Sequence, residues 1–357
     1  MFLEGREKEI SITKNRIAAP PSSAGTEREN TPFFIISCGR SGSTLLSRML
    51  NQHPRIAVSG ESHLFNIFYP WLAYYGNLSD RQNQERLVTD ILSTFHIRNW
   101  TPPLNKEQVL ARIVSPNFTG VVEAVMKAWA DSQGKPRWGE KTPQHVYFWR
   151  EILECFPQGK IVHIVRDGRD VAASFIRAQF GPKTYYSAAK RWVRELEEID
   201  QLKVAVHPDR FFELSYEDLL DHPMEQLSKL CDFLGEPCFP GMLEFYKSDP
   251  SNYVENINLI NLKQPLMQEN KQKWRKQMKA GDLRIVEAVA WKTLKEYGYE
   301  LALNPPPSLS KTEKVSEHYI KSLPRKWAAM AVHRNGQAYE WSKFKIYFRL
   351  RTLDRLR

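Results

Sequence analysis

The chain has 357 residues, 42 % apolar and 26 % charged, which is enough for one large or two small soluble domains. No stretch of about 18 apolar residues occurs, so no membrane-spanning helix is expected. The four cysteines (Cys38, Cys155, Cys231, Cys238) lack metal-ligand spacing, which argues against a zinc module and for reduced thiols in the cytoplasm.

The formal net charge of +10 is unevenly placed. Residues 310–357 hold 12 Lys/Arg and 4 Asp/Glu, a net of +8; the other 309 residues hold 39 and 37, a net of +2. A near-neutral body argues against a nucleic-acid partner. The opening residues have no apolar signal region, so no secretory leader is expected. Residues 1–30, with a Pro-Pro-Ser-Ser-Ala-Gly run, read as a flexible leader.

In chain order, residues 33–37 read as a buried strand. A small-residue turn follows, then a helix from Ser43 to Asn51 with Leu45, Leu46, Met49 and Leu50 on one face. Residues 55–59 read as a short strand. Gln84–Ile97 carries Leu87, Val88, Ile91, Leu92 and Phe95 at helical spacing, and Val121–Asp131 is also helical. Lys160–Val165 is a second apolar strand leading into a helix. Tyr185–Leu202 reads as a helix and Phe211–Tyr216 as a strand. A helix then runs between Asp221 and Gly235, with Pro223 in its first turn and Gly235 as its stop. Leu283–Tyr297 is a further helix, and Asn304-Pro-Pro-Pro-Ser separates a basic, aromatic C-terminal extension, residues 304–357. Strands alternating with helices predict an α/β fold: a P-loop-like, mostly parallel sheet flanked by helices on both faces.

Two turns carry the chemistry. Ser37-Cys-Gly-Arg40-Ser41-Gly42-Ser43-Thr44 joins a strand to a helix, where backbone N–H groups and a helix N-terminus cradle an anion. It departs from the nucleotide P-loop signature, since no lysine precedes Ser43 and Arg40 sits early in the loop. The second turn, Val165-Arg166-Asp-Gly-Arg169, also follows a strand, with Ser174 two turns into the next helix. A planar guanidinium and a hydroxyl suit a second phosphate. An ion-paired surface turn is the plainer alternative for this second segment alone.

Together the two turns resemble the two-part signature of sulfotransferases that use 3′-phosphoadenosine 5′-phosphosulfate (PAPS), over roughly residues 31–300, which implies a sulfotransferase domain over 31–303. Three further segments resemble elements of that family: Trp138-Gly-Glu-Lys141-Thr-Pro143, Gly60-Glu61-Ser-His63-Leu-Phe65, and Phe211-Phe-Glu-Leu-Ser-Tyr216. They are most similar to carbohydrate (heparan) and tyrosyl-protein sulfotransferases. The resemblance implies that Arg40, Ser41, Gly42, Ser43 and Thr44 hold the 5′-phosphosulfate and that Arg166 and Ser174 hold the 3′-phosphate. It places Tyr216 and Lys263 near the cofactor, with Lys141 and Arg40 supporting the charge that moves during transfer. Glu61 is the implied general base; His63 either orients it or is itself the base. No metal is implied. A P-loop small-molecule kinase is the alternative outside the class.

Arg191 and Trp192 either approach the nucleotide or pack in the core, and His145 and His163 read as structural. The leading acceptor class is a carbohydrate or glycolipid hydroxyl; a phenol, protein tyrosine or small alcohol comes next. The aromatic run from Phe65 to Tyr75 either lines an acceptor pocket or packs as a core helix. The C-terminal extension either docks on an anionic membrane surface or folds back on the domain.

Overall fold

The fold is drawn from a computed structural model that describes residues 31–178, 180–247, 262–322, 324–325, 328–329 and 334–354. The expected leader, residues 1–30, lies outside the described residues.

Five strands form one sheet: β1 (Phe33–Ile36), β2 (Ile56–Val58), β3 (Arg137–Lys141), β4 (Lys160–Val165) and β5 (Phe211–Ser215), in the order β2-β3-β1-β4-β5. Every pairing is parallel, with β1 at the centre (Phe33 opposite Gly139 and Lys160). Parallel strands need crossover helices, and these cover both faces. Alternation along β1 sorts the side chains by face. Phe34 and Ile36 join a core with Leu64, Phe65, Trp129 and Trp138. Phe33 and Ile35 join another with Leu46, Val162, Leu214 and Leu230. A third apolar cluster ties the helices Gly168–Arg177, Tyr185–Ala205 and Ala280–Glu296 together.

The sequence-expected α/β architecture is the one observed, but β3 does not read as a strand from its residues. Its sequence, Arg-Trp-Gly-Glu-Lys, is buried along its whole length. Burial is tolerated because each charge has a partner. The Arg137 guanidinium donates to Leu234 O at 2.5 Å and lies 3.4 Å from Glu236. Glu140 meets His145 at 2.8 Å, and Lys141 meets Glu61 at 2.9 Å.

The aromatic run resolves as packing. Phe65, Ile67, Phe68 and Tyr75 are buried in the core, as the packing alternative expects, while Asn66, Tyr69, Trp71, Leu72 and Tyr74 stay half-buried. A long helix, Arg334–Asp354, folds back over it. Ile346 and Leu350 are buried, Tyr347 stacks on Trp71 at 4.6 Å and 17°, and its hydroxyl donates to Ile67 O at 3.1 Å. Arg349 forms an ion pair with buried Asp90.

Candidate active site

The carboxyl ends of all five strands lie along one edge, where open α/β sheets bind ligands. β1 leads to Arg40, β2 to Glu61, β3 ends on Lys141, β4 leads to Arg166 and β5 to Tyr216.

The turn after β1 is a strained cradle. Arg40 has φ 74° and Gly42 has φ 99°, both left-handed. Arg40 therefore holds a conformation that non-glycine residues avoid. Gly42 has a second reason to lack a side chain, since a Cβ there would collide with the Tyr216 ring. The helix Ser43–Asn51 begins at this turn with no acidic residue in its first turn, so its N-terminal N–H groups and dipole face the site without a competing carboxylate. The buried Ser41 hydroxyl has no hydrogen-bond partner among the described residues.

Two guanidiniums converge on the cradle. Arg40 Nε donates to Ser174 Oγ at 3.1 Å, and Arg166 donates to Arg40 O at 3.4 Å and Asn270 O at 2.8 Å. Arg166 also lies over the Tyr216 ring at 4.2 Å, and Asn270 Nδ2 donates to the Tyr216 hydroxyl at 2.7 Å. Arg40, Gly42, Arg166, Ser174 and Tyr216 thus form one connected cluster. Ser174 is bonded to Arg40 rather than to Arg166, so the hydroxyl links the two turns. Burial, then the Arg166 charge, push Arg40 down to about 10. It remains cationic at neutral pH, and like charges held this close favour an anion between them. Lys263 is exposed and has no described contact with the cluster.

The lysine missing from the cradle arrives from β3. Lys141 is 1 % exposed, and its Nζ donates to Thr44 Oγ1 at 3.4 Å and to Glu61 Oε1 at 2.9 Å. The other Glu61 oxygen lies 3.3 Å from His63 Nε2. Burial opposes the Glu61 charge, but Lys141 and His63 outweigh it and hold the carboxyl well below the usual range.

A buried network that sequence reasoning missed fixes this loop. Glu140 Oε1 accepts from Thr142 Oγ1 at 2.5 Å and Ser62 Oγ at 2.7 Å. Thr142 Oγ1 in turn accepts from the Ser62 and His63 backbone N–H groups at 3.0 and 3.3 Å. His63 adopts φ 55° at the start of the helix Leu64–Phe68. Its ring faces His96 at 4.2 Å and Tyr339 at 5.2 Å. Glu140 stands inside the segment Trp138–Pro143 that the sequence singled out, two residues before Thr142, but only Lys141 of that segment was given a role. His96 and Tyr339, distant in sequence, left no signal.

The remaining expectations fall to structure. Trp192 is fully buried and its indole N–H donates to Arg166 O at 3.1 Å. Arg191 pairs with Glu195 at 2.8 Å and stacks on Phe175 beneath the cradle. His145 serves Glu140, and His163 pairs with Glu213 at 3.0 Å. Among the described residues, no group of three or more His, Cys, Asp or Glu could hold a metal. No described helix is long and apolar enough to cross a membrane.

Comparison with known proteins gives one consistent match. A family model described as "Sulfotransferase family" matches residues 32–240. A protein-tyrosine sulfotransferase from Drosophila melanogaster is 25 % identical over 290 residues, covering 78 % of this chain and 54 % of that one. An omega-hydroxy-beta-dihydromenaquinone-9 sulfotransferase from Mycobacterium bovis is 31 % identical over 142 residues, covering 35 % of this chain and 36 % of that one. The chain therefore spans about a third to a half of these relatives' length. Among solved structures, the sulfotransferase domain from the curacin biosynthetic pathway superposes with a TM-score of 0.52 at 24 % identity, over 76 % of this chain and 98 % of that one. It shares the fold.

His96 gives the site a measurable pH signature. Burial, then the neighbouring His63, push it down to about 3, against about 6.5 in an unfolded chain. The unfolded state then binds the extra proton first, so stability is full above pH 6.5 and falls as pH drops towards 3. Between pH 6.5 and 5 the loss from this residue is roughly 2 kcal/mol. Urea denaturation of His96→Phe and wild type should show that slope only in wild type; equal slopes would contradict the assignment.

Proposed function

This chain belongs to the sulfotransferase family, and we propose that it moves a sulfuryl group from PAPS to an acceptor hydroxyl, in line, with Glu61 as general base. Membership sets the kinase alternative aside. The observation that carries the reading is the convergence of Arg40, Arg166 and the first turn of Ser43–Asn51 on one cradle, with the Lys141–Glu61 pair at its edge.

The residues fit a donor with two anionic groups. The cradle has a glycine where a side chain would strike Tyr216, an unpartnered buried Ser41 hydroxyl, and two cations pressed together. Ser41–Thr44 and Arg40 would hold the 5′-phosphosulfate; Arg166 and Ser174 would hold the 3′-phosphate, with Tyr216 beside them, while Lys263, exposed and without a described contact to the cluster, has no support here for its expected role. When bound, the donor supplies an activated sulfuryl group and a phosphate leaving group. The protein's work is charge control and positioning.

Lys141 is the pivot. Its contacts with Thr44 and Glu61 join the cradle to the base. While paired with Lys141, Glu61 is a poor base. With an anion in the cradle, Lys141 would have a second negative partner, which would loosen its grip on Glu61 and raise the basicity of that carboxylate. Glu61 then takes the hydroxyl proton as the acceptor oxygen bonds to sulfur, while Lys141 and Arg40 stabilise the charge left on the departing phosphate. We assign His63 to orienting Glu61, since its Nε2 lies 3.3 Å from Glu61 Oε2 and, among the described residues, neither ring nitrogen has another partner; His63 as base is the alternative.

The acceptor class we propose is a carbohydrate or glycolipid hydroxyl, on the likeness of Gly60–Phe65 to the heparan-type element; a phenol, tyrosine or small alcohol is the alternative. The four free thiols support a reducing, cytoplasmic setting. We also assign the outer face of the helix Arg334–Asp354 to an anionic membrane surface. Trp341, Phe344 and Phe348 are 58 %, 53 % and 62 % exposed and stack in a row, with Lys345 over Trp341. Exposed aromatics beside cations suit the lipid headgroup region.

Transfer of labelled sulfate from PAPS to a panel of carbohydrates, glycolipids, phenols and tyrosyl peptides tests the reaction. Glu61→Gln should lower turnover by about 10²–10⁴-fold without loss of nucleotide binding; turnover within ten-fold of wild type would remove Glu61 as base. For the membrane assignment, co-sedimentation with phosphatidylserine vesicles should fall when Trp341, Phe344 and Phe348 are all changed to Ser, and should fall with added salt. Unchanged binding would end it.

A further inference from the structure

The helix Arg334–Asp354 has a second face, and that face reaches the catalytic loop. Tyr339, Ser342, Lys343, Ile346, Tyr347 and Leu350 recur at the three-and-four spacing of one helix side and are buried or half-buried. The lower part of this stripe anchors the helix through Tyr347, Ile346, Leu350 and the Arg349–Asp90 pair. Ser342 Oγ accepts from the Phe95 backbone N–H at 3.4 Å, which ties the helix to the segment that carries His96. The upper part ends at Tyr339, whose ring lies 5.2 Å from His63 and 5.0 Å from His96.

We propose that this helix completes the active site and that Tyr339 is a positioning residue for the His63–Glu61 pair. The inference rests on the reading of Glu61 as the base. The His63 imidazole is 2 % exposed, yet neither ring nitrogen has a hydrogen-bond partner of good geometry among the described residues. Nε2 faces Glu61 Oε2 at 3.3 Å. A buried imidazole normally has its plane set by a hydrogen bond from the second nitrogen. Here flat rings set it instead: His96 at 4.2 Å and 33°, and Tyr339 at 5.2 Å and 46°.

Tyr339 is held in turn. Asn66 Nδ2 donates to its hydroxyl at 3.5 Å, and Lys343 Nζ lies 4.4 Å over its ring. The charged and titratable groups that face His63 are therefore Glu61, Lys141, His96 and, behind Tyr339, Lys343. Asn66 Oδ1 and His63 Nδ1 are both buried without partners. Both groups lie on the segment that faces Tyr339, across from the C-terminal helix, and there an acceptor's polar atoms would be received. The C-terminal extension, set apart in sequence by its proline run, thus supplies one wall of the site and links it to the outer aromatic row on the same helix.

Three variants test the proposal: Tyr339→Leu fills the volume without a flat ring, Tyr339→Phe keeps the ring without the hydroxyl, and Tyr347→Phe loosens the anchor alone. Steady-state kinetics across pH are read beside the His63 imidazole signals by long-range ¹H–¹⁵N NMR. Tyr339→Leu should lower kcat by about ten-fold or more, displace the limb of the pH profile set by the base, and move the His63 signals, with the KM for PAPS unchanged. Tyr339→Phe should restore kcat and the signals. If Tyr339→Leu matches wild type in kcat, pH profile and His63 signals, the proposal is overturned. If Tyr339→Leu does not fold, Tyr339→Phe with Tyr347→Phe still decides. Wild-type His63 signals in Tyr347→Phe would contradict a wall that depends on the anchored helix. If wild type transfers no sulfate at all, the functional reading fails, while the NMR arm still reports on Tyr339.

Discussion

Parallel pairing of the five strands is the constraint on which the site depends. Because every ladder runs the same way, every strand leaves the sheet at one edge. Five segments far apart in sequence therefore deliver Arg40, Glu61, Lys141, Arg166 and Tyr216 to one line. The central position of β1 puts the cradle in the middle, with Lys141 and Glu61 to one side and Arg166 and Tyr216 to the other. In the proposed reaction the first side serves the transferred group and the second side the 3′-phosphate.

Buried charge is the cost of that arrangement. β3 carries Arg137, Glu140 and Lys141 through the interior, and each is matched by a partner from another element. A buried pair adds little net stability against an apolar equivalent, so stability alone does not account for three of them in five residues. Lys141 joins the cradle, through Thr44, to Glu61, the proposed base. Glu140 fixes the loop that carries Glu61 and His63. Arg137 locks the far end of the strand to Glu236, which keeps Lys141 at the sheet edge.

How much of this was legible in the sequence follows from where the apolar pattern is clean. β1, β4 and the helix Ser43–Asn51 bury continuous or periodic apolar residues, and their bounds read almost to the residue. The two turns announce themselves through glycine, arginine and serine beside such strands. β3 is invisible to the same reading, because a strand of Arg, Glu and Lys is buried only by partners elsewhere in the chain. The C-terminal helix is obscured differently. Aromatic residues occupy both of its faces, so no single apolar stripe stands out, and Tyr339 meets His63 only through a contact spanning most of the chain.

The two sides of that helix differ: one rests against His63 and His96, and the other presents stacked aromatics and lysine to solvent. Everything rests, however, on the cradle receiving a nucleotide with phosphates at both ends. Thermal-shift titration with 3′,5′-adenosine bisphosphate, against ADP and ATP with Mg²⁺, measures this most directly. At 100 times its dissociation constant the bisphosphate should add roughly 2.7 kcal/mol to stability, and the effect should be lost in Arg166→Ala. Stabilisation by ATP with Mg²⁺ alone, or an undiminished bisphosphate effect in Arg166→Ala, would contradict the account.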